Sequence, residues 1–258
     1  MPEHPATSCP PGASLHEWYQ TPPGQRLLSC ERHWLEAILP GLFGFHLAAF
    51  SAAPDELCAA SRIGHRFRVA PTAGPAGQLR AAGHRLPFGA DSLDVCVLHH
   101  ALEFAESPHQ MLREIQQALR SDGHLVLLVF NPWSAYGLWR LLFQHRGHPP
   151  WCGRFYSETR VRDWLELLGF NVLDRRRCAF APPWGSDRAQ QRLCWLDYWG
   201  ARLWPAFGGA YLLLACKQVA GLTPQRPRWR TARNRALGLA QSAPRISGEP
   251  VRQREACE

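Results

Sequence analysis

Several features are missing from this chain of 258 residues, and each absence removes a class of protein. No apolar run approaches the ~18 residues that a bilayer-spanning helix needs. The longest, Leu125 to Phe130 and Tyr211 to Cys216, have the length of strands. Met1 to Ser14 has neither a basic start nor an apolar stretch, so it does not read as a secretory signal. The nine cysteines are odd in number, irregular in spacing and without a Cys-x-x-Cys pair, which argues against a disulfide framework. Cys96 and Cys216 sit inside apolar stretches, where cysteine behaves as a small buried hydrophobe. A reducing, cytoplasmic setting is therefore expected. The Gly-x-Gly-x-x-Gly fingerprint of dinucleotide binding is absent, which disfavours a nicotinamide-dependent dehydrogenase. Lysine is almost absent too: Lys217 stands alone among arginines, a bias that base composition explains as readily as a need for guanidinium chemistry. No internal repeat occurs.

What is present is enough for one α/β domain with a full core. Apolar residues make up 46% of the chain, as in an ordinary globular protein. Residues 1–14 read as disordered and 15–218 as the folded domain. Within that domain, 135–207 reads as a helical, aromatic-rich insertion that includes Trp184, Trp195, Trp199 and Trp204. Residues 219–258 read as a disordered Pro/Arg-rich tail. Eight arginines there outnumber three glutamates, so the tail carries +5 of the net +8. Such a tail would grip nucleic acid phosphates or another anionic surface weakly, and its plainer role is to solubilise. No partner chain and no oligomeric state can be read from these patterns.

Periodicity supplies the elements. Leu27, Leu28, Trp34, Leu35, Ile38 and Leu39 predict a helix over about 24–39. A strand is expected over 42–50, a short helix over 54–61 and a weak strand over 66–70. The stretch 71–77 is a Pro/Gly-rich loop. Ser92 to His99 is a strand. Ser107 is placed to cap the helix that carries Met111, Leu112, Ile115, Ala118 and Leu119, and Gly123 to stop it. Leu125 to Phe130, apolar without alternation, predicts a central parallel strand covered on both faces. Helices over about 135–144 and from Ser157 to Gly169, then strands over 170–178 and 210–217, complete the reading. Alternating strands and helices predict a Rossmann-like doubly wound, mostly parallel sheet of seven strands with helices on both faces. Ligands bind such sheets beyond the carboxyl ends of the strands, which nominates 50–53, Val69-Ala70, His99-His100 and 130–133.

The segment Leu86-Pro87-Phe88, Ser92-Leu93-Asp94-Val95, His100-Ala101-Leu102-Glu103-Phe104 resembles the core of methyltransferase-11-type class I S-adenosylmethionine enzymes. Leu112-Arg113-Glu114 and Ser121-Asp122-Gly123-His124-Leu125 continue the likeness. Phe130-Asn131-Pro132-Trp133-Ser134 is similar to a bacterial branch of that family. The resemblance implies S-adenosyl-L-methionine as cofactor and methyl transfer to an acceptor that it does not identify. A catalytically inactive member acting as a protein- or nucleic-acid-binding module is the alternative. The resemblance places cofactor contacts at Phe50, Ser51, Ala52, Ala70, His84, Arg85, Leu86, Pro87 and His99. The family's glycine-rich turn after its first strand reads Phe50-Ser51-Ala52-Ala53 here. Its acid ending the second strand falls at Arg68-Val69-Ala70, and its adenine-binding acid falls at Ala82.

Candidate catalytic residues are His100, Glu103 and Asn131. Histidine has an accessible pKa, and Glu103 would orient a histidine or accept a proton. Asn131 would hydrogen-bond an acceptor beside an apolar wall of Trp133. Each also has a plain structural reading, as a strand end, a helix-start acid and a turn. Asp94 opens its strand at the end away from the site and reads as structural. His145-x-x-His148 with Cys152 lacks an evident fourth ligand, so no metal is expected.

Overall fold

The alternation of apolar residues along each strand decides which layer each side chain joins. The computed structural model describes residues 15–53, 57–70, 79–80, 86–143, 148–183, 199–200 and 202–218. Helices α1 (Leu15–Tyr19) and α2 (Pro22–Ile38) precede strands β1 (His46–Ser51), β2 (His65–Ala70), β3 (Leu79–Arg80) and β4 (Leu93–His99). Then come α3 (Pro108–Ala118), β5 (Leu119–Phe130), α4 (Ala135–Phe143), α5 (Glu158–Leu167), β6 (Phe170–Cys178) and β7 (Ala210–Lys217).

The seven strands form one sheet in the order β3-β2-β1-β4-β5-β7-β6. The first five are parallel to one another. β7 runs antiparallel to both β5 and β6, and is inserted between them. Leu47, Val95, Val97, Val126, Leu128, Phe130 and Leu212 face α1 and α2. Their neighbours in sequence, among them Ala48, Cys96, Leu98, Leu125, Leu127 and Leu213, face α3 and α5. The sheet is therefore covered on both faces, as its apolar runs require. The α5–β6 pair lies inside 135–207 and forms part of these layers rather than an excursion from them.

Several expectations are corrected. Leu42 to Phe45 does not join β1, which begins at His46. The Asp94 carboxylate accepts hydrogen bonds from the backbone N–H of Phe45 (2.8 Å) and His46 (3.0 Å), which ends the lead-in there. Gly44 crosses Asp94 so closely that a Cβ would lie 2.2 Å from the Asp94 Cβ. Residues 57–60, within the helix expected over 54–61, form a turn, and Ser61 lies outside any helix. The Arg66 guanidinium donates to the Cys58, Ala59 and Ser61 carbonyls, doing the work of helical hydrogen bonds. Leu57, Cys58 and Ile63 cover the sheet there without a helix. Ser107 precedes α3 but makes no side-chain cap bond. That helix stops at Ala118, short of Gly123. The pairing jumps from Leu93↔Leu119 to Val95↔His124, so Arg120 to Gly123 bulge out of β5. Asp122 supplies a positive φ within this bulge. Cys30, Cys96 and Cys216 keep free thiols, whereas Cys152 is disulfide-bonded.

The chain divides into two units, Met1–Gly221 and Leu222–Glu258. The second lies outside the described residues, as do the N-terminal 14 residues, His84, Arg85, Trp184, Trp195 and the expected loop over 71–77. No described helix is long and apolar enough to cross a membrane.

Replacing Asp94 by Ala should destabilise the fold by about 1–3 kcal/mol, because two backbone donors lose a charged acceptor. A shift of the urea midpoint worth less than about 0.5 kcal/mol would sink this account. Burial opposes the charge on Asp94, but the His46 and Phe45 N–H groups prevail and hold its carboxyl below the usual range. The folded pKa is thus the lower one. Its contribution is complete above the ordinary carboxylate pKa of about 4 and fades as pH falls through the folded value.

Candidate functional site

Strand order reverses between β1 and β4, the point where this sheet class opens a crevice. Ser51 and His99 end those strands and are register partners. Along a strand, His99 and His100 would point to opposite faces. His100 has φ +50°, however, and its ring lies on the same side as that of His99, with centroids 4.9 Å apart. A left-handed histidine is costly unless its surroundings hold it. Here the His100 N–H donates to Leu128 O (3.0 Å), and the ring stacks on Phe130 at 3.9 Å.

Two residues missed in the sequence complete the cluster. Glu31 lies on the inward face of α2, four residues after Leu27 and four before Leu35. A charged residue on an apolar stripe was the available signal. Its Oε2 meets His99 Nε2 at 2.9 Å, and its Oε1 meets His100 Nε2 at 2.7 Å. Tyr19 ends α1, stacks on His99 with centroids 5.4 Å apart, and brings its hydroxyl to 3.2 Å from His99 Nε2. Gly24 makes this possible: a Cβ there would lie 2.2 Å from Trp18 O, so only glycine lets α2 pass so close to α1. On the far side, His100 Nδ1 lies 2.8 Å from Glu103 Oε1, which also accepts the Phe130 N–H at 2.8 Å. Ser51 Oγ lies 2.9 Å from His99 Nδ1 and accepts the Ala53 N–H.

The side chains of Glu31, His99, His100 and Glu103 are wholly buried. Burial alone would raise the pKa of Glu31, but His100 and His99 outweigh it and hold the carboxyl at about 2. Burial also works against a charge on His100, yet Glu31 and Glu103 on either side push it up to about 9. His99 moves the other way, because burial lowers it by more than Glu31 raises it. Burial, then Glu31 and Glu103, drive the Tyr19 phenol well above its usual range. The arrangement at neutral pH is a carboxylate, a cationic His100 and a neutral His99. A cationic imidazole between two carboxyl groups is a poor base.

The remaining candidates divide. Asn131 is buried, and its amide is taken up by backbone: Nδ2 donates to Ala206 O and Gly208 O, and Oδ1 accepts the Trp133 N–H. It clamps a turn and has no amide proton left for an acceptor. Trp133 is 72% exposed and forms no wall. The Phe50 side chain is packed on the α3 face, so only its backbone reaches the crevice. Leu86 also packs on that face, and its N–H donates to Glu114. Pro87 lies beside it in the described chain, Ala70 ends β2, and His84 and Arg85 fall outside the described residues.

Removing one partner from a buried ionic cluster leaves the other charge uncompensated. Glu31→Ala should therefore cost about 3–5 kcal/mol in urea unfolding, and Glu31→Gln less, because the amide still fits and bonds. A loss under about 1 kcal/mol for the alanine variant would mean that the cluster contributes little to the fold.

Comparison with known proteins agrees with this architecture. A family profile described as a methyltransferase domain matches residues 48–127, from β1 into β5. The Escherichia coli K12 protein YafS is 32% identical over 210 residues, covering 80% of this chain and 82% of YafS. Among solved structures, an S-adenosylmethionine-dependent methyltransferase from Thermotoga maritima aligns with a TM-score of 0.52 at 15% identity, covering 78% of this chain and 94% of that one. Another, from Archaeoglobus fulgidus, aligns with a TM-score of 0.51 at 16% identity, covering 75% and 94% respectively. These two likenesses concern the fold. With the sheet order, the profile and the YafS similarity in agreement, the chain belongs to the methyltransferase-11-type family of class I, Rossmann-like methyltransferase domains.

Proposed function

We propose that this chain is an S-adenosylmethionine-dependent methyltransferase whose cofactor lies over the crevice between β1 and β4. The observation that carries the reading is the set of small side chains, Ser51, Ala52 and Ala53, at the carboxyl end of β1, on the strand next to the reversal of strand order. They fit a ligand that must approach the backbone closely, as glycines do in the wider family. Ser51, Ala52, Ala53, Ala70 and the segment leading to Pro87 would hold the cofactor, with His99 beneath it. The bound cofactor supplies a methyl group already activated on sulfur. The protein's own task is then to align the acceptor and exclude water. A base is needed only where the acceptor must lose a proton.

One observation favours a second reading, a family member that binds a ligand or partner without turning over. No carboxylate ends β2. Arg68 stands two residues before that end, and its guanidinium bonds the Ala53 carbonyl of the β1 turn. Ribose hydroxyls would meet a clamped backbone there instead of an acid.

Calorimetry on the full chain with S-adenosylmethionine and S-adenosylhomocysteine separates these readings. Saturable binding is expected for both ligands. Ala52→Trp, a change at a half-buried position, should weaken it by about tenfold or more, since the ring would fill the space the ligand needs. An absence of heat at millimolar ligand would reject the cofactor and leave the second reading.

A further inference from the structure

We propose that Glu31, His99 and His100 form a binding site for one divalent transition-metal ion, with Zn²⁺ as the type, at the carboxyl end of β4. One carboxylate oxygen and two imidazole nitrogens from these residues lie within 4.8 Å of one another, and all three residues are buried. The donor set decides the class of ion. Two imidazoles with one carboxylate suit zinc or iron, whereas magnesium and calcium take oxygen ligands. The Nε2 to carboxylate separations of 2.7 and 2.9 Å are those of a hydrogen-bonded cluster. A tetrahedral shell with bonds of about 2.0–2.2 Å has edges of about 3.3 Å. The two contacts use different Glu31 oxygens, so each imidazole would move out by about half an ångström and one carboxylate oxygen would turn to face both.

The surroundings are those of ligands held for a metal. Metal-bound histidines nearly always have the far ring nitrogen fixed by a carboxylate or another polar group. Here Glu103 Oε1 holds His100 Nδ1 and Ser51 Oγ holds His99 Nδ1. A separate observation points the same way. Glu103 Oε2 is buried with no hydrogen-bond partner among the described residues, in a residue that is 2% exposed. Two carboxyl groups, Glu31 and Glu103, thus share one enclosed cluster on either side of the His100 ring. The Tyr19 hydroxyl, 3.2 Å from His99 Nε2, is placed to take a fourth position.

The protons can be followed. Both Nε2 atoms must present lone pairs to the ion. His100 gives up its Nε2 proton and keeps the Nδ1–H that faces Glu103. His99 passes to the Nδ1–H tautomer, which then donates to Ser51 Oγ. One proton leaves for each ion bound. Because the ligands are enclosed, the ion is taken up as the chain folds, and its binding free energy adds to folding.

This inference does not rest on methyl transfer, and its test contains no S-adenosylmethionine. The full chain, without a polyhistidine tag, is unfolded in chelator, then refolded with Zn²⁺, Co²⁺ or Mg²⁺ and freed of excess ion. Elemental analysis should give roughly one equivalent of Zn²⁺, and the Co²⁺ form should show the visible absorption of imidazole-ligated cobalt. At a hundredfold excess over Kd, Tm should rise by roughly 5 °C or more with Zn²⁺ and not with Mg²⁺. His99→Gln should weaken binding by about tenfold or more, while His148→Ala, an exposed histidine outside the cluster, should leave it intact. If His99→Gln fails to fold, the wild-type stoichiometry and cobalt spectrum decide. Wild-type protein that refolds without retaining zinc overturns the proposal, and so does binding that His99→Gln does not weaken.

Discussion

Glu31 reaches from the middle of α2 to the ends of two strands and touches both histidines that close β4. Around this contact the N-terminal half of the molecule is organised. It sets how deeply α2 sits on the sheet, and it lies in the same layer as Leu27, Leu35 and Ile38. It also fixes where Tyr19 falls, because α1 and α2 meet through Gly24 and carry the phenol onto His99. The strained backbone of His100 is kept by the same contact together with Glu103 and Leu128. A buried charge is tolerable only when each end of it is matched, and here every ring nitrogen has an oxygen within hydrogen-bond reach.

This cluster stands at the one place where the sheet topology favours a ligand. The crevice between β1 and β4 follows from strand order alone, and Ser51 joins it to the cluster through His99. The fold thus supplies a position, and the residues give that position its character. That character is histidine- and carboxylate-rich at the β4 end, while the β1 turn carries Ser51-Ala52-Ala53 and the β2 end Arg68-Val69-Ala70. The β1 turn is stitched to itself and to β2, by the Ser51 hydroxyl on the Ala53 amide and by Arg68 on the Ala53 carbonyl. Any ligand there meets a backbone already held in shape.

The fold was largely legible, because period and apolar runs report burial directly. Helix α2, strands β4, β6 and β7 and the apolar half of β5 fall where the pattern places them. Several of the misreadings share a cause, a role set by a partner far along the chain. Gly123 looks like a helix stop, but the pairing of Leu119 with Leu93 ends the helix earlier and turns the Ser121-Asp122-Gly123 run into a bulge. Leu42 to Phe45 look like strand until Asp94 captures the amides of Phe45 and His46. In the site, His99, His100, Ser51 and Glu103 were found from the strand ends. Tyr19 and Glu31 were not, since they sit 80 and 68 residues from His99 and carry no local motif. In the sequence Asn131 reads as free to bond an acceptor because the carbonyls that take up its amide arrive 75 and 77 residues later.

The antiparallel β7 has a consequence for how the molecule is made. On a growing chain, β5 is complete at Phe130, but the strand that pairs with its outer edge begins only at Ala210. At roughly 5–20 residues per second, that leaves an apolar strand with one unpaired edge for several seconds during synthesis. β6 emerges in the interval and has no described neighbour other than β7 to dock against. The nascent protein thus spends that time with the sticky edge that mature sheets conceal, and its last described strand seals both neighbours in a single step.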